Sequence, residues 1–435
     1  MTLRQTIEHE IRERGAIPFS RYMEMCLYDP ELGYYSRHAE QFGKAGDFYT
    51  SSDVHAVFGR LLARQFDEMW RMQGSPKQIE VLELGPGRGL FAQDVLDWSQ
   101  KKFPEFFHAL HYSLEENSPS LRYRMEATLR KHLAAGNASL IQRLKPPSRE
   151  ASYGTTEAVL LHGDTPTSNS NLREKEKGAT SEACAERTQR VPQSVNIALA
   201  PEVPVIVFAN EFFDALPVEV LSSQGELRIS LQGGRFVETW APASVEELEF
   251  LDRYGVQPEA AERVEVPLVA QNYMSRITAA VSCGFIVVID YGYTREEQLA
   301  GRHRGTVTAV RQHAVSTNPY EAAGEQDITA HVNFTALAAA GEHNGMQTQP
   351  LLTQSQFLMG IGEKNQFADA FEECRLPQEK AKVTLQLKHL VTPAGMGENF
   401  HVLVGSKRVD PEMVARLSGL SFGKSRLWQP AAQER

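Results

Sequence analysis

Residues 83–89 read Glu83-Leu84-Gly85-Pro86-Gly87-Arg88-Gly89, three glycines at alternate positions behind an acid. Glycine lets the backbone turn tightly and lets a ligand approach the main chain closely. A dinucleotide fingerprint would space its glycines G-x-G-x-x-G and set a pyrophosphate on a helix N-terminus. Here the spacing is E-x-G-x-G-x-G, and an acid at the tip of an apolar run does not suit phosphate. It suits a nucleoside that carries a sulfonium and an α-amino group, as S-adenosylmethionine does. The bland alternative is an ordinary glycine turn from strand to helix.

A second acid follows the next apolar run, in Leu114-Glu115-Glu116. Ribose hydroxyls of a nucleoside cofactor are met by an acid at such a place. Spacing alone does not say which of Glu115 and Glu116 turns inward. The third group is Ala209-Asn210-Glu211-Phe212-Phe213-Asp214-Ala215-Leu216-Pro217, directly behind the apolar run 205–209. In open α/β sheets, ligands bind beyond the carboxyl ends of strands. Two carboxylates, an amide and two aromatics there make a substrate pocket, or else Asn210 or Asp214 caps a helix and the phenylalanines are core. Asp290-Tyr291-Gly292-Tyr293 again puts an acid at a strand tip, and His331 is a histidine that either faces the cleft or is structural.

The elements that must position these groups alternate. Apolar runs at 79–84, 112–115, 205–209 and 285–289 read as strands, the last two buried on both faces. Helices are expected over 90–101 and 120–134. Strands alternating with helices imply a parallel sheet with helices on both sides, an α/β protein. The leading residues 1–75 read as a mainly helical extension: Leu3, Ile7 and Ile11 share one face, as do Val57, Leu61, Leu62 and Phe66 within 54–70. The stretch 221–242 reads as a β-hairpin around Gly233-Gly234. It opens an inserted subdomain, 221–280, between the cofactor-binding half, 76–220, and the rest of the sheet, 281–408. That last part holds helical patterns over 334–340 and 368–390 and a closing strand over 400–405, and 409–435 is a tail. Residues 165–194 have no aromatic and are rich in Ser, Thr, Glu, Lys and Arg, the composition of a flexible insertion. Trp70, Trp98 and Trp240 read as core.

Bulk properties narrow the function. A formal charge of -10 over 435 residues argues against nucleic acid, which needs a concentrated basic surface. The four cysteines, Cys26, Cys184, Cys283 and Cys374, form no CxxC pair, and the 13 histidines show no ligand spacing, so reduced thiols and no metal are expected. The apolar runs are too short to span a bilayer. The start of the chain has no apolar signal core and carries Glu8, Glu10 and Glu13, unlike an acid-poor transit peptide, so a cytoplasmic location is expected.

Taken together, Tyr28-Asp29-Pro30 with Gly33-Tyr34-Tyr35, Gly46-Asp47-Phe48 with Thr50, Phe58-Gly59, the glycine turn, the 210–217 motif, Ile289-Asp290-Tyr291-Gly292 and Asp327-Ile328-Thr329-Ala330-His331-Val332-Asn333-Phe334 stand in the order of one family. The chain resembles the MidA-like methyltransferases from residue 5 to residue 405. That family includes the mitochondrial complex I assembly factor that methylates an arginine. The resemblance implies a class I S-adenosylmethionine-dependent methyltransferase fold, a Rossmann-like seven-stranded sheet with a helical N-terminal extension and an inserted α+β subdomain. It puts the cofactor at Glu83, Gly85, Pro86 and Gly87, with the ribose at Glu116 in an E-x-S arrangement. It has Asp47, Phe48 and Thr50 close over the cofactor. The insertion at 165–194 is longer than the family pattern, and Asp53 and Asn333 replace acids typical of it.

The reaction this implies is direct displacement from the sulfonium, leaving S-adenosylhomocysteine, with an arginine of a protein such as a complex I-type subunit as acceptor. Glu211 and Asp214 are the candidate carboxylates for the guanidinium and Asn210 the positioning amide. A small-molecule methyltransferase on the same cofactor site, or a non-catalytic assembly factor that keeps the fold, are the rival readings. A nicotinamide dehydrogenase fits the glycine spacing poorly. Oligomeric state is not legible.

Overall fold

The computed structural model describes residues 1–36, 56–141, 199–200, 202–311, 314–316 and 318–426. The expectations for Asp47, Phe48, Thr50 and Asp53, for the 165–194 insertion and for Cys184 lie outside the described residues.

The main sheet is built on seven strands: β1 (Ile79–Leu84), β2 (Leu110–Glu115), β3 (Ala138–Ile141), β4 (Val205–Asn210), β5 (Gly284–Tyr293), β6 (Gln347–Thr348) and β7 (Phe400–Lys407). They lie in the order β6-β7-β5-β4-β1-β2-β3. β3, β2, β1, β4 and β5 run parallel, and β7 is antiparallel to β5. This is the class I methyltransferase topology. Two short pieces, Val332–Asn333 and Leu352–Thr353, extend the sheet beside β5 and β7. The central strands are continuous apolar runs because helices cover both faces: Val81, Ile206, Phe208, Val287 and Ile289 are all buried. Register does the rest. Leu84 pairs with Glu115 on one side and Ala209 on the other, and Asn210 pairs with Ile289. The strands therefore end on a common line, and everything that follows them falls at one edge.

Helix α3 (Ala56–Met72) buries Val57, Leu61, Leu62 and Phe66, as the spacing predicts. It belongs to the core of the main sheet rather than to the leading helices α1 (Leu3–Arg14) and α2 (Phe19–Tyr28). Those two pack instead on a second sheet, where Gly225–Gln232 pairs with Ile17–Pro18, Glu219–Ser222 and Arg235–Ala241. The expected hairpin is there: Gln232 pairs with Arg235 across Gly233 and Gly234, both at positive φ (56° and 73°). A two-residue turn with both φ positive matches the twist of the flanking strands.

Helix α4 (Leu90–Lys102) follows the glycine turn, and α5 (Pro119–Thr128) follows β2. The single helix read over 120–134 is two, broken at Leu129. The pattern over 368–390 is also two, Ala368–Phe371 and Pro377–Val391, because Pro377 can only start a helix there. Helix α6 (Leu268–Ala280) packs beside α7 (Phe334–His343) rather than with the inserted hairpin. The segment read as a tail supplies Val414, Leu417 and Leu420 to the main core. Trp70 and Trp98 are buried there, while Trp240 is half-buried against the second sheet. Among the described residues, no helix is long and apolar enough to cross a membrane.

Gly59 marks the closest approach of α3 to α4, where an added Cβ would stand 2.5 Å from Asp94 Cβ. Gly59→Val is therefore expected to force the two helices apart and cost about 1–3 kcal/mol, the range for overpacking. Urea denaturation measures it, with an unchanged midpoint being the contrary result.

Candidate active site

The glycine turn leaves β1 with Gly85, Gly87 and Gly89 all at positive φ (63°, 54° and 75°), where a side chain is strained. Each glycine has its own reason. A Cβ on Gly85 would stand 2.8 Å from the Phe212 ring, and one on Gly89 would stand 2.8 Å from Met125 on α5. A Cβ on Gly87 would meet nothing within 4 Å, so the turn is open there. Buried Pro86 closes it, its carbonyl accepting the Gly89 N–H at 2.8 Å.

Two carboxylates flank this turn. Glu83 is buried, and Tyr112, on the neighbouring strand, donates its hydroxyl to it at 2.9 Å. Burial pushes the Glu83 carboxyl up to about 8; the Tyr112 hydrogen bond opposes this and the charge of Glu116 adds to it. Glu116 accepts the Ser118 N–H at 2.8 Å and is also reached by the N–H of Gly87. Burial lifts it to about 7 against the pull of those amides. Glu115 takes the other direction, where the Tyr273 hydroxyl of α6 donates to it at 3.1 Å. Of the two adjacent glutamates, Glu116 is the one whose side chain meets the glycine turn, while Glu115 accepts the Gly85 N–H on its backbone carbonyl at 3.0 Å.

The 210–214 turn follows β4. Glu211 has φ 50°, a conformation uncommon for a residue with a side chain, and its N–H donates to Ile289 at 2.9 Å. Asn210 Nδ2 donates to the Glu211 carboxylate at 3.0 Å. Three successive amides, of Phe212, Phe213 and Asp214, donate to one oxygen of Asp290 at 3.2, 3.0 and 3.3 Å. The other Asp290 oxygen accepts the Tyr291 N–H at 2.9 Å. Tyr291 donates its hydroxyl to Asp214 Oδ2. The amides of Asp214 and Ala215 stand near enough to favour the charged form of Asp214, but Oδ1 is left buried without a hydrogen-bond partner, as is Asn210 Oδ1. Burial raises both Asp214 and Asp290 above the usual carboxylate range. Only Phe213 is core, as the capping alternative has it; Phe212 is half-buried and meets Tyr273 edge to face at 5.1 Å. Yet no helix follows for Asn210 or Asp214 to cap.

His331 lies beside the Tyr291 ring (5.3 Å) and 3.1 Å from His303, nitrogen to nitrogen. Burial, with His303 and His401 nearby, pushes it down to about 4, so it is neutral at pH 7. Asn333 caps α7 through Ala336 N–H at 3.0 Å and donates to the Tyr254 carbonyl at 2.9 Å.

Sequence reasoning left out the groups that hold the candidates. Asp290 and Tyr291 stand in a visible motif, but their partners depend on the β4–β5 register. Tyr112 and Tyr273 had no signal of their own, and His303 none at all.

The family model described as a putative S-adenosyl-L-methionine-dependent methyltransferase matches residues 61–352. The chain belongs to that family. The mitochondrial protein arginine methyltransferase NDUFAF7 of Rattus norvegicus is 26% identical over 90% of this chain and 81% of its own length. Its Drosophila melanogaster homologue is 25% identical over 92% of this chain and 84% of its own. A Burkholderia thailandensis protein described as a likely methyl transferase, solved bound to S-adenosyl-homocysteine, superposes with a TM-score of 0.73 at 25% identity, covering 96% of this chain and 94% of that one.

This methyltransferase takes S-adenosylmethionine as its cofactor, and the residues at the turn fit it. The opening at Gly87 gives the ligand access to backbone, and the raised Glu83 and Glu116 gain from a cation and from hydroxyl donors. Both effects favour the charged carboxylates, so binding should expel protons. Cofactor affinity is expected to rise as pH goes from about 6.5 to about 8.5, through the two values. Calorimetry at pH 7 in buffers of different ionisation enthalpy should show net proton release, and release that Glu83→Gln leaves unchanged would remove Glu83 from the site.

Proposed function

We propose that this methyltransferase acts on an arginine side chain of a protein, held by the 210–214 turn. The observation that carries the reading is the pair of buried acceptors, Asn210 Oδ1 and Asp214 Oδ1, that meet no donor. A buried acceptor left unmade costs on the order of 1–3 kcal/mol, and two on one turn mark a place for donors brought by a ligand. Glu211, Asp214 and Asp290 stand together, and Asp290 is raised by the charges of the other two after burial. The guest that relieves this is cationic and rich in donors. A guanidinium has five N–H donors and no acceptor. The names of the relatives, protein arginine methyltransferases, point the same way.

S-adenosylmethionine supplies an electrophilic methyl group and leaves as S-adenosylhomocysteine. Glu83, Gly85, Pro86, Gly87 and Glu116 would hold it, with Glu116 the acceptor for the ribose hydroxyls. A guanidinium is charged at neutral pH and a poor nucleophile. Glu211, steadied by Asn210, pairs two of its N–H groups and leaves electron density on the third nitrogen. The nitrogen that gains the methyl sheds a proton, and Asp214, raised by burial, can hold it at Oδ1. A complex I-type subunit, the acceptor implied by the resemblance, is the first protein to assay.

Glu211→Gln keeps size and removes charge. Transfer should fall by on the order of a hundredfold, the scale of losing a preorganised electrostatic partner, while S-adenosylhomocysteine binds as before. Labelled methyl transfer into a cell lysate, then into the protein it identifies, reads the rate. If Glu211→Gln and Asp214→Asn both keep the full rate, the clamp is wrong. If lysate labels only small molecules, the acceptor is wrong.

Asp214 must be ionised to bind the cation, and its raised affinity for protons means that this charge is lost as pH falls toward the site's own value. With the cofactor saturating, so that Glu83 and Glu116 do not contribute, the acidic limb of kcat/KM for the acceptor is therefore expected above the ordinary carboxylate range of about 4. Asp214→Asn should abolish the limb; a limb that stays in place assigns it to another group.

A further inference from the structure

We propose that Tyr35 is a positioning residue that couples the cofactor side of the site to the acceptor side, a proposal that rests on the reading of Glu116 and the 210–214 turn given above. Tyr35 lies in the short helical turn Tyr34–Ser36, outside the main sheet. Its two ends touch the two sides. Its carbonyl accepts the Ser118 hydroxyl at 2.5 Å, and its own hydroxyl donates to Asp327 Oδ1 at 2.9 Å. Ser118 is the residue whose N–H holds Glu116 at 2.8 Å. On the far side, the strand Asp327–Thr329 leads to Ala330, whose N–H donates to the Asp214 carbonyl at 2.9 Å. The path from Glu116 to Asp214 is thus Ser118, Tyr35 and the segment 327–330.

This path is built to transmit rather than to absorb. Ser118 and Asp327 are buried (4% and 6% exposed). The Tyr35 ring is wedged between Tyr28 (5.5 Å) and Tyr34 (5.3 Å). Tyr28 makes a second tie to the acceptor turn, its hydroxyl donating to the Ala215 carbonyl at 2.9 Å. Burial, with Asp327 and Tyr28 close by, keeps the Tyr35 hydroxyl protonated and so a donor. A loop that shifts when Glu116 takes a ligand must move Ser118, and Ser118 is tied to the backbone of the residue that holds Asp327. Such coupling is reciprocal, so an ordered acceptor segment favours cofactor by the same factor.

The test uses the whole chain and S-adenosylhomocysteine, with hydrogen exchange read over 326–331. In the unmutated protein the ligand should slow exchange there by about fivefold or more, the lower end of ordinary coupling. Tyr35→Phe keeps the ring and the carbonyl and removes only the hydroxyl. It should keep the protection over 85–89 and weaken S-adenosylhomocysteine by no more than the coupling factor of about fivefold, yet lose the protection over 326–331. A structural role alone would raise exchange over 326–331 equally with and without ligand, leaving the ratio intact, and that result overturns the proposal. So does an unmutated protein in which the ligand leaves 326–331 unaffected. Should Tyr35→Phe melt too low to measure, Ser118→Ala, which cuts the other end, decides by the same ratio. Glu116→Gln separates the two layers of inference. If it binds S-adenosylhomocysteine at full affinity, the ribose assignment has failed; if it does not, and Tyr35→Phe still transmits, only the coupling has.

Discussion

One buried carboxylate organises the turn proposed to hold the acceptor. Asp290 stands one residue beyond the last β4–β5 pair and collects the amides of Phe212, Phe213 and Asp214 on a single oxygen. Three consecutive N–H groups aimed at one point form a concave anion site, and here the anion is part of the chain. The arrangement explains how Glu211 can sit at φ 50°, a conformation that costs on the order of 1–3 kcal/mol and persists only where neighbours over-determine it. From that turn Phe212 reaches the space above Gly85, so the same interaction fixes how the acceptor turn meets the glycine turn.

The site is acidic on both sides; Glu83, Asp214 and Asp290 are buried, and Glu116 and Glu211 are half-buried. Glu83, Glu116, Asp214 and Asp290 are all raised by desolvation. Tyrosine hydroxyls recur as their donors: Tyr112 on Glu83 and Tyr291 on Asp214. A neutral donor satisfies a carboxylate without cancelling its charge, as an arginine or lysine would. Tyrosine thus keeps these acids oriented and in want of a cation, which suits the cationic cofactor and the cationic acceptor proposed above.

How much of this was legible depends on the range of the interaction concerned. β1 carries the bounds its apolar run predicts, and α4 begins where the glycines stop, because both follow from local pattern. The hairpin around Gly233-Gly234 was legible for the same reason. The breaks at Leu129 and before Pro377 were read through, since helical spacing continues across them. The site's candidates were visible because acids at strand tips are unusual residues in a place sheet geometry makes functional. What holds them was not. The Tyr112–Glu83 pair needs the β1–β2 register, and the tie from Tyr35 to Asp327 joins residues almost three hundred positions apart. Periodicity carries no information about such pairs.

The end of the described chain has a bearing on how the protein is made. Ser418 and Gly419 donate their amides to Glu68 and Gln65 of α3, each at 2.9 Å, and Leu417 and Leu420 fill the core that α3 covers. A helix near the start of the main core is therefore completed by residues some 350 positions later. At about 5–20 residues per second, synthesis leaves α3 and the first strands waiting on the order of tens of seconds for that partner. During this interval the part of α3 that these late residues cover is open on the nascent chain, while Phe58 and Phe66 can already meet Phe91 of α4. The leading pair α1 and α2 waits less, since its sheet is supplied by 219–241. On the ribosome the two cores should close in succession, the one nearer the start of the chain first, with the catalytic sheet the last to be sealed.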